Sequence, residues 1–319
     1  MPKPVFVILG ATGNQGGSVV FHFLSESAYS LRVVTRDPFS PKALALAAQG
    51  IEVVSGNFDD PSSLDAAFKN ASLIFSMTDF WSLMTSDTLR KKADASGISP
   101  GFYIRDCEAQ QNRNIIDAAA RVETLERFIF SSLPNVTELS GGKYRHVYHF
   151  DSKSTAGGTS VLYAGLYLEN FLGESKALFC PKLKGNTLVA ASSQPLTMAK
   201  IPWFSVVNDT GSLVAALISS APGKNLIGVS EWLSLQDIWT ILAQTLKKDI
   251  EFVDDISSDF GQGDPEIKRD REEMMGFLIE FGFDGGRNDQ TFMRPEDLNI
   301  SVKLQSVRDW IEKQDWSDL

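Results

Sequence analysis

The first half of the chain alternates short, continuous apolar runs with segments in which apolar residues recur at helical spacing. A continuous run such as VFVIL, residues 5–9, is typical of a parallel strand that is buried on both faces. Strands that alternate with helices through short links predict βαβ units, and therefore an α/β fold with a doubly wound parallel sheet. The predicted strands are residues 5–9, 31–35, 51–55, 72–77, 127–132 and 159–163, and the predicted helices are residues 18–24, 41–48, 61–68 and 104–121.

The second half is less regular and predicts a smaller C-terminal α/β lobe that covers the carboxyl edge of the sheet. Tyr163, Tyr167 and Phe171 recur every four residues, a spacing that fits one buried face of a helix. The polar segment at residues 85–100 shows neither the apolar run of a buried strand nor the apolar spacing of a helix. We expect it to be the least ordered part of the first half. The elements predicted for the lobe are residues 206–219, 226–229, 235–246 and 266–281, and an amphipathic helix at 302–314.

The charge balance argues against a nucleic-acid-binding surface. The chain has 30 Lys and Arg against 40 Asp and Glu, which gives a formal net charge of -10. Its longest basic run is Arg90-Lys91-Lys92. Because binding to a duplex requires a concentrated cationic face, we expect no direct contact with nucleic acid.

The cysteine and histidine content predicts no metal centre. Cys107 and Cys180 match neither a zinc spacing nor a CxxC motif, and the histidines form no cluster in the sequence. Unpaired cysteines are typical of a reducing compartment. The chain has no apolar run of membrane-spanning length and no signal-peptide pattern, so we expect a cytoplasmic protein without membrane contact, with the nucleus as the alternative location.

A glycine-rich turn follows the first predicted strand. The sequence GATGNQGG places Gly10, Gly13 and Gly16 at intervals of three residues, between a strand and a helix. Gly10 permits the tight turn, Gly13 lets the backbone approach a pyrophosphate, and Gly16 lets the helix pack closely on the strand. The free N–H groups and the positive dipole end of the helix favour the phosphates. This context predicts an NAD(P)-binding Rossmann fold.

The end of the second predicted strand bears on the choice between NAD and NADP. A carboxylate there binds the ribose 2′-hydroxyl, whereas an arginine accommodates a 2′-phosphate. Here the strand ends in Thr35-Arg36-Asp37-Pro38, and the guanidinium of Arg36 can fork onto a phosphate. Asp37 would be the NAD-type carboxylate if the strand ended one residue later. Pro38 fixes the turn and favours Arg36, so we expect NADP(H).

Longer motifs extend over nearly the whole chain. GATGNQGGSV, VVTRDP, GNFDDPSSL, FSMTDFW, RFIFSSLPN, LYAGLYLENFLG and IPWFSVVNDTGSLVAALI occur in this order, and the chain closes on WIEKQDWSDL. Together they resemble the motifs of the NmrA-like proteins, which are atypical relatives of the short-chain dehydrogenases/reductases and are abundant in fungi. We expect an NADP-binding Rossmann domain at residues 1–155, with residues 156–319 completing the sheet and forming the smaller lobe.

The resemblance also implies the residues of an NADP(H) site. Asp59 would lie by the adenine, and Thr78 and Lys153 would lie toward the nicotinamide. Members of the family divide between reductases and redox sensors that bind a transcription factor. The implied cofactor-binding residues are Gly10, Thr12, Gly13, Asn14, Gln15, Gly16, Arg36, Asp59, Thr78 and Lys153.

The proton donor of ordinary short-chain reductases is missing from its usual position. Those enzymes use Tyr-x-x-x-Lys, in which the Tyr protonates the substrate oxygen and the Lys holds the nicotinamide ribose. Here the spacing reads His149-x-x-x-Lys153, and Tyr148 stands one position too early, about 100° around the helix. Two interpretations remain open. Either His149 donates the proton beside Lys153, or Lys153 only binds the cofactor and the site does not turn over.

The segment after Lys153 is shorter than in the family pattern. Residues 154–159 lead almost directly into the next strand, and Gly157-Gly158 would end any helix there. The leading hypothesis is an NADP(H)-dependent NmrA-type oxidoreductase, monomeric or homodimeric, that reduces a small carbonyl or imine substrate. The alternative is a catalytically silent dinucleotide sensor that regulates a protein partner such as a transcription factor. A third hypothesis is isoflavone-reductase-like chemistry on a phenolic substrate.

Overall fold

The computed structural model describes residues 2–26, 28–154, 160–255, 263–287 and 291–319. The strands are β1 (Val5–Leu9), β2 (Ser30–Thr35), β3 (Glu52–Ser55), β4 (Ala71–Ser76), β5 (Arg127–Ser132), β6 (Ser160–Ala164), β7 (Leu166–Tyr167), β8 (Lys182–Lys184), β9 (Thr187–Ser192), β10 (Ile201–Phe204), β11 (Asn225–Gly228), β12 (Glu231–Leu233) and β13 (Asp249–Asp254). The α-helices are α1 (Asn14–Leu24), α2 (Pro41–Ala47), α3 (Pro61–Ala67), α4 (Phe80–Met84), α5 (Asp87–Ser96), α6 (Pro100–Ala120), α7 (Val136–Leu139), α8 (Tyr148–Ser154), α9 (Lys176–Phe179), α10 (Gln194–Met198), α11 (Val206–Ser219), α12 (Leu235–Leu246), α13 (Pro265–Phe281) and α14 (Val307–Glu312).

A parallel sheet of seven strands forms the centre of the molecule, in the order β11-β6-β5-β4-β1-β2-β3. The predicted doubly wound α/β sheet is therefore confirmed. The strand order reverses between β1 and β4, and the glycine turn follows β1 at this point. In open α/β sheets, ligands bind outside the carboxyl ends of the strands at such a reversal.

The two faces of the sheet are covered by different helices because successive side chains of a strand point to opposite sides. Phe6 and Ile8 of β1 pack with residues of α1 and α11, whereas Val7 and Leu9 pack with residues of α3 and α6. All four side chains are fully buried, and each contributes about 1.5–3 kcal/mol to folding. This burial on both faces explains the continuous apolar run.

Helix α1, which leads out of the glycine turn, packs against α11 at close range. The backbone N–H of Gly211 donates to Oγ of Ser18 at 3.1 Å. A Cβ atom at Gly211 would lie only 2.4 Å from Cβ of His22, so only glycine allows this approach. The second half of the chain thus supports the helix that begins the predicted cofactor site.

The C-terminal lobe has two small sheets, β12-β10-β7 and β13-β9-β8, around a core of its own. Trp203, Trp310 and Phe277 are buried in that core together with Val147 and Phe150, which come from the first half of the chain. The predicted boundary at residue 155 and the predicted helix end at Gly157-Gly158 fall outside the described residues, so both stay predictions.

Residues 87–96 form a helix within the segment for which the sequence predicted the least order. Helix α5 begins after Ser86, whose Oγ accepts the backbone N–H of Leu89, and it ends at Gly97 in the left-handed conformation. An ion pair of 2.7 Å between Arg90 and Asp264 joins this helix to the residue that precedes α13. The expectation was wrong because a helix with few buried positions has no apolar stripe for the periodicity to detect.

The predicted helical stripe at Tyr163, Tyr167 and Phe171 is also wrong. Tyr163 lies in β6, Tyr167 lies in β7, and Phe171 ends a 3-10 turn. Of the C-terminal predictions, α11, α12, α13 and β11 are present, whereas the last helix spans only Val307–Glu312. Among the described residues, no helix is long and apolar enough to cross a membrane.

Candidate functional site

The glycine turn is closely packed and leaves no room for side chains at two positions. Gly10 has φ +68°, and a Cβ atom there would lie 2.5 Å from Sδ of Met77. A Cβ atom at Gly16 would lie 2.4 Å from the carbonyl of Gly10. The N–H of Gly13 donates to the Gly10 carbonyl oxygen at 2.9 Å and closes the turn. The sequence therefore needs glycine at Gly10 and Gly16 for this path.

The amino-terminal end of α1 is open to a ligand. Gly13 is the N-cap residue and has no side chain to accept the first amides, and the first helical turn has no acidic residue. Both Gly13 and Asn14 are exposed. Uncapped amides at the positive end of a helix dipole bind anions, so this terminus fits the pyrophosphate of a dinucleotide.

A cleft of about 250 Å³ lies between the glycine turn and the carboxyl ends of β2, β3 and β4. Another cavity, of about 320 Å³, lies at the opposite edge of the sheet beside the Asp65–Arg121 ion pair and contains none of the predicted site residues. Of the predicted cofactor residues, the cleft is lined by Gly10, Thr12, Gly13, Arg36 and Asp59, whereas Asn14, Gln15, Gly16, Thr78 and Lys153 lie outside this lining.

Arg36, rather than Asp37, faces this cleft. The side chain of Arg36 is exposed and forms no ion pair in the part of the chain that the structure describes. Asp37 is turned into its own loop, where Oδ1 accepts the backbone N–H of Phe39 at 2.9 Å. This arrangement leaves a free guanidinium at the place where a 2′-phosphate would bind.

Helix α6 orients the loop after β3, a function that the sequence did not reveal. Gln111 Nε2 donates to Oδ1 of Asp59 at 3.0 Å, and Asn114 Nδ2 donates to the carbonyl of Phe58 at 2.8 Å. Gln111 also lines the cleft. Asp59 is thereby held in the lining of the cleft, and its contact with the adenine stays a prediction.

Two buried polar atoms near the glycine turn have no hydrogen-bond partner among the described residues: Oε1 of Gln15 and Oγ1 of Thr78. A buried polar atom left unpaired costs about 1–3 kcal/mol, so such atoms point to a ligand that would satisfy them. The amide Nε2 of Gln15 donates to the hydroxyl of Tyr167 at 2.6 Å. Burial raises the pKa of Tyr167 to about 12, so this hydroxyl keeps its proton at neutral pH.

Lys153 is held by a carboxylate that the sequence gave no reason to select. Its Nζ donates to both oxygens of Glu108, at 2.8 and 3.0 Å, and to the carbonyl of His149 at 3.3 Å. The hydroxyl of Ser152 donates to the same carboxylate. An ammonium group has three N–H donors, so a contact between Lys153 and a ribose would replace one of these three bonds.

His149 lies beside helix α4, behind the cleft. The centroid of its ring is 5.0 Å from that of Trp81, while the next two residues of α4, Ser82 and Leu83, line the cleft. Nδ1 of His149 is 2.5 Å from Oδ1 of Asp270 in α13. His149 itself is not part of the cleft lining.

Tyr148 is unsuited to proton transfer in this cleft. It is 1% exposed, and its hydroxyl donates to Oε2 of Glu266 at 2.8 Å. Burial, followed by the hydrogen bond to Glu266, raises the pKa of Tyr148 well above its usual range.

Among the described residues, no group of three or more His, Cys, Asp or Glu residues could hold a metal ion.

Comparison with known proteins gives a consistent set of matches. A model of the NmrA-like family matches residues 2–282. The NmrA-like family domain-containing oxidoreductase hkm9 of Aspergillus hancockii is 30% identical over 256 residues, which is 74% of this chain and 70% of that protein.

Two solved structures share the fold. NmrA, a negative transcriptional regulator solved in complex with NADP, has a TM-score of 0.66 at 17% identity, over 98% of this chain and 95% of its own. The triphenylmethane reductase of Citrobacter sp., solved in complex with NADP(H), has a TM-score of 0.64 at 16% identity, over 97% of this chain and 99% of its own. One neighbour is thus a regulator and the other is a reductase.

Proposed function

Because the chain belongs to the NmrA-like family, we propose that it is an NADP(H)-dependent oxidoreductase that reduces a small carbonyl or imine substrate by hydride transfer. The observation that carries this proposal is the glycine turn with its uncapped helix terminus, which opens into the same cleft as the unpaired Arg36. The similarity to hkm9, a curated oxidoreductase, supports the reaction class.

The residues of the site support a dinucleotide that would extend from the glycine turn to both sides of the cleft. The amides that follow Gly13 would bind the pyrophosphate, Arg36 the 2′-phosphate, and Asp59 the adenosine. The unpaired atoms of Gln15 and Thr78 would receive the nicotinamide half. Bound NADPH supplies the hydride.

His149 and Lys153 take different parts in this proposal. His149 would be the proton donor, because it stands at the tyrosine position of the Tyr-x-x-x-Lys sequence pattern, whereas the hydroxyl of Tyr148 is bound to Glu266. Lys153 contacts the cofactor and fixes α8. Its charge is balanced by Glu108, so the pair adds no net charge at the reacting end of the site.

The second candidate function is a dinucleotide sensor that acts on a protein partner without turnover. The observation that favours it is the saturation of the Lys153 ammonium by three protein acceptors. The shared fold of NmrA, a transcriptional regulator, is compatible with it.

Calorimetric titration with NADPH and NADH tests the cofactor assignment. We expect NADPH to bind at least about tenfold more tightly, and Arg36→Ala to weaken NADPH alone by about tenfold to a hundredfold, since a hydrogen bond to a charged group contributes about 1.5–3 kcal/mol. Asp37→Asn is the matched control and should leave both affinities unchanged. Preferential binding of NADH, or loss of NADH affinity in Asp37→Asn, would overturn the assignment of NADP.

Turnover separates the two candidate functions. Oxidation of bound NADPH by a panel of small ketones, aldehydes and imines would support the oxidoreductase. Tight NADPH binding without oxidation by any member of the panel would favour the sensor. If neither NADPH nor NADH binds, both candidate functions are excluded.

A further inference from the structure

The ring of His149 is held by one carboxylate from a distant part of the chain. Asp270 lies in α13, 121 residues later, and is only 1% exposed. Its Oδ1 is 2.5 Å from Nδ1 of His149, at ion-pair distance but off the ideal N–H direction. Its Oδ2 accepts the backbone N–H of the same histidine at 3.3 Å. One carboxylate thereby contacts both the ring and the backbone of His149.

The aromatic neighbours restrict the ring further. The ring centroids of Trp81 and Phe150 lie 5.0 and 4.8 Å from that of His149. The guanidinium of Arg271 lies 5.4 Å from the centroid of Trp81 and extends the stack. Rotation of the imidazole about its side-chain bonds is therefore limited on several sides.

A carboxylate beside Nδ1 determines which nitrogen of a neutral histidine carries the proton. The arrangement favours the Nδ1–H form, since the proton on Nδ1 then lies beside the negative oxygen, at ion-pair distance. Nε2 has no hydrogen-bond partner among the described residues, and 11% of the side chain remains exposed. In the protonated ring, Nε2 carries the proton that can leave.

From this geometry we propose that Asp270 is a positioning residue, through which the C-terminal lobe fixes the orientation and the tautomer of His149 for proton donation from Nε2. The proposal rests on the proposed oxidoreductase function. It assigns a role to α13, which the sequence predicted only as an element of the lobe at residues 266–281.

The proton step balances within these groups. With a carbonyl substrate, the carbon gains a hydride and the oxygen becomes negative. The oxygen then takes the proton from Nε2 of the imidazolium, so that the N–H bond breaks and an O–H bond forms. His149 is left neutral, with its remaining proton on Nδ1 beside Asp270. The other charged groups near the ring are Arg271, beyond Trp81, and Lys153, whose charge is balanced by Glu108.

The chain contains a matched control on the same helix. Glu273 lies one turn after Asp270, and its Oε1 is 2.6 Å from Nδ1 of His146. Its other oxygen accepts the backbone N–H groups of Arg145 and His146. This pair has the same chemistry, but its side chains are 27% and 22% exposed, and neither residue belongs to the proposed reaction.

Nitrogen-15 NMR of the histidine rings in the full-length protein, without cofactor, tests the positioning directly. We expect neutral His149 to be in the Nδ1–H form, and Asp270→Asn to shift it toward the Nε2–H form. Glu273→Gln should leave the signals of His149 unchanged. An Nε2–H form in the wild type would overturn the proposal without any variant, and an unchanged tautomer in Asp270→Asn would also overturn it.

Kinetics on a substrate of the wild type gives the second test. Asp270→Asn should lower kcat by about tenfold to a hundredfold, and His149→Asn by at least about a hundredfold, with KM and NADPH affinity nearly unchanged. The double variant should lose no more than the larger single effect. Glu273→Gln should retain wild-type kcat. Equal kcat in Asp270→Asn and the wild type, or losses that multiply in the double variant, would overturn the positioning role.

The two kinds of failure are distinguishable. If the wild type reduces no substrate in the panel, the proposed function fails, and the NMR result still decides whether Asp270 sets the tautomer of His149. If the wild type turns over but the NMR result is negative, only the positioning role fails.

Discussion

Nζ of Lys153 lies 2.8 Å from Oε1 of Glu108, and that glutamate has no exposed surface. The lysine side chain is itself only 12% exposed. Two opposite charges have therefore been removed from water together, and each depends on the other for compensation. The residue that the family resemblance assigns to the cofactor is at the same time one half of a buried ion pair.

Lys153→Met should lower the free energy of unfolding by about 3–5 kcal/mol, because it leaves the buried charge of Glu108 without a counter-charge. The double variant Glu108→Gln/Lys153→Met should recover most of this loss. Arg121→Met breaks the half-exposed pair with Asp65 and should cost less than about 1 kcal/mol. Urea unfolding measures all three values, and a loss in Lys153→Met as small as that of the control would show that the pair is not buried.

Gly16→Ala should abolish dinucleotide binding and destabilise the protein, because its Cβ would lie 2.4 Å from the backbone of Gly10, which cannot move without opening the turn. The adjacent Gly17→Ala places its Cβ 3.5 Å from the carbonyl oxygen of Ala11, an ordinary contact. In a helix, alanine is favoured over glycine by about 1 kcal/mol, so Gly17→Ala should be neutral or stabilising. Thermal unfolding with and without NADPH compares the two variants, and similar behaviour would contradict the tight turn.

Tyr148→Phe should cost about 1–3 kcal/mol of stability, because Glu266 loses the hydrogen bond from the phenol. It should leave kcat within about twofold of the wild type, in contrast to the loss expected for His149→Asn. Steady-state kinetics and urea unfolding of both variants check this. A large fall in kcat for Tyr148→Phe would return the donor role to the tyrosine.

Stability should fall as the pH rises through the titration of Asp209 in α11. Burial raises the pKa of Asp209 to about 6, even though its oxygens accept the backbone N–H groups of Ser205 and Gln305. A carboxyl whose pKa is raised on folding contributes stability that is complete below its unfolded value, about 4, and is lost as the pH passes the folded value. The decrease is about 3 kcal/mol in total, of which about 2 kcal/mol falls between pH 4 and pH 6.

Asp209→Asn should remove this part of the pH dependence. Burial also raises the pKa of Asp151, so the wild-type curve contains other carboxyl groups, and the difference between the two proteins isolates Asp209. Urea unfolding at a series of pH values provides both curves. Parallel curves for the wild type and Asp209→Asn would contradict the raised pKa.

The sheet could be predicted because its determinants are local. A parallel strand with both faces covered needs several apolar residues in succession, and each such run in the first half became a strand of the central sheet. The glycine turn is equally local, since Gly10 is needed for its own positive φ and Gly16 for its close approach to the backbone of Gly10. The short strands of the lobe, such as β8 and β12, have no comparable run and were missed.

The supporting contacts of the site could not be predicted because they join distant segments. Glu108 and Lys153 are 45 residues apart, and His149 and Asp270 are 121 residues apart. Within its own segment, each carboxylate resembles the solvated charges of a helix surface. The two carboxylates become buried partners only because α6 and α13 pack against α8. The sequence pattern of a single helix does not predict that packing.

The contact between Ser18 and Gly211 also has a consequence for how the protein is made. The ribosome synthesises α1 before α11, which covers it, and the two contacting residues are 193 residues apart. At about 5–20 residues per second, this interval lasts roughly 10 to 40 seconds. During that time, the nascent chain carries the glycine turn on a helix whose outer face is not yet covered, so α1 stays exposed until α11 has been synthesised.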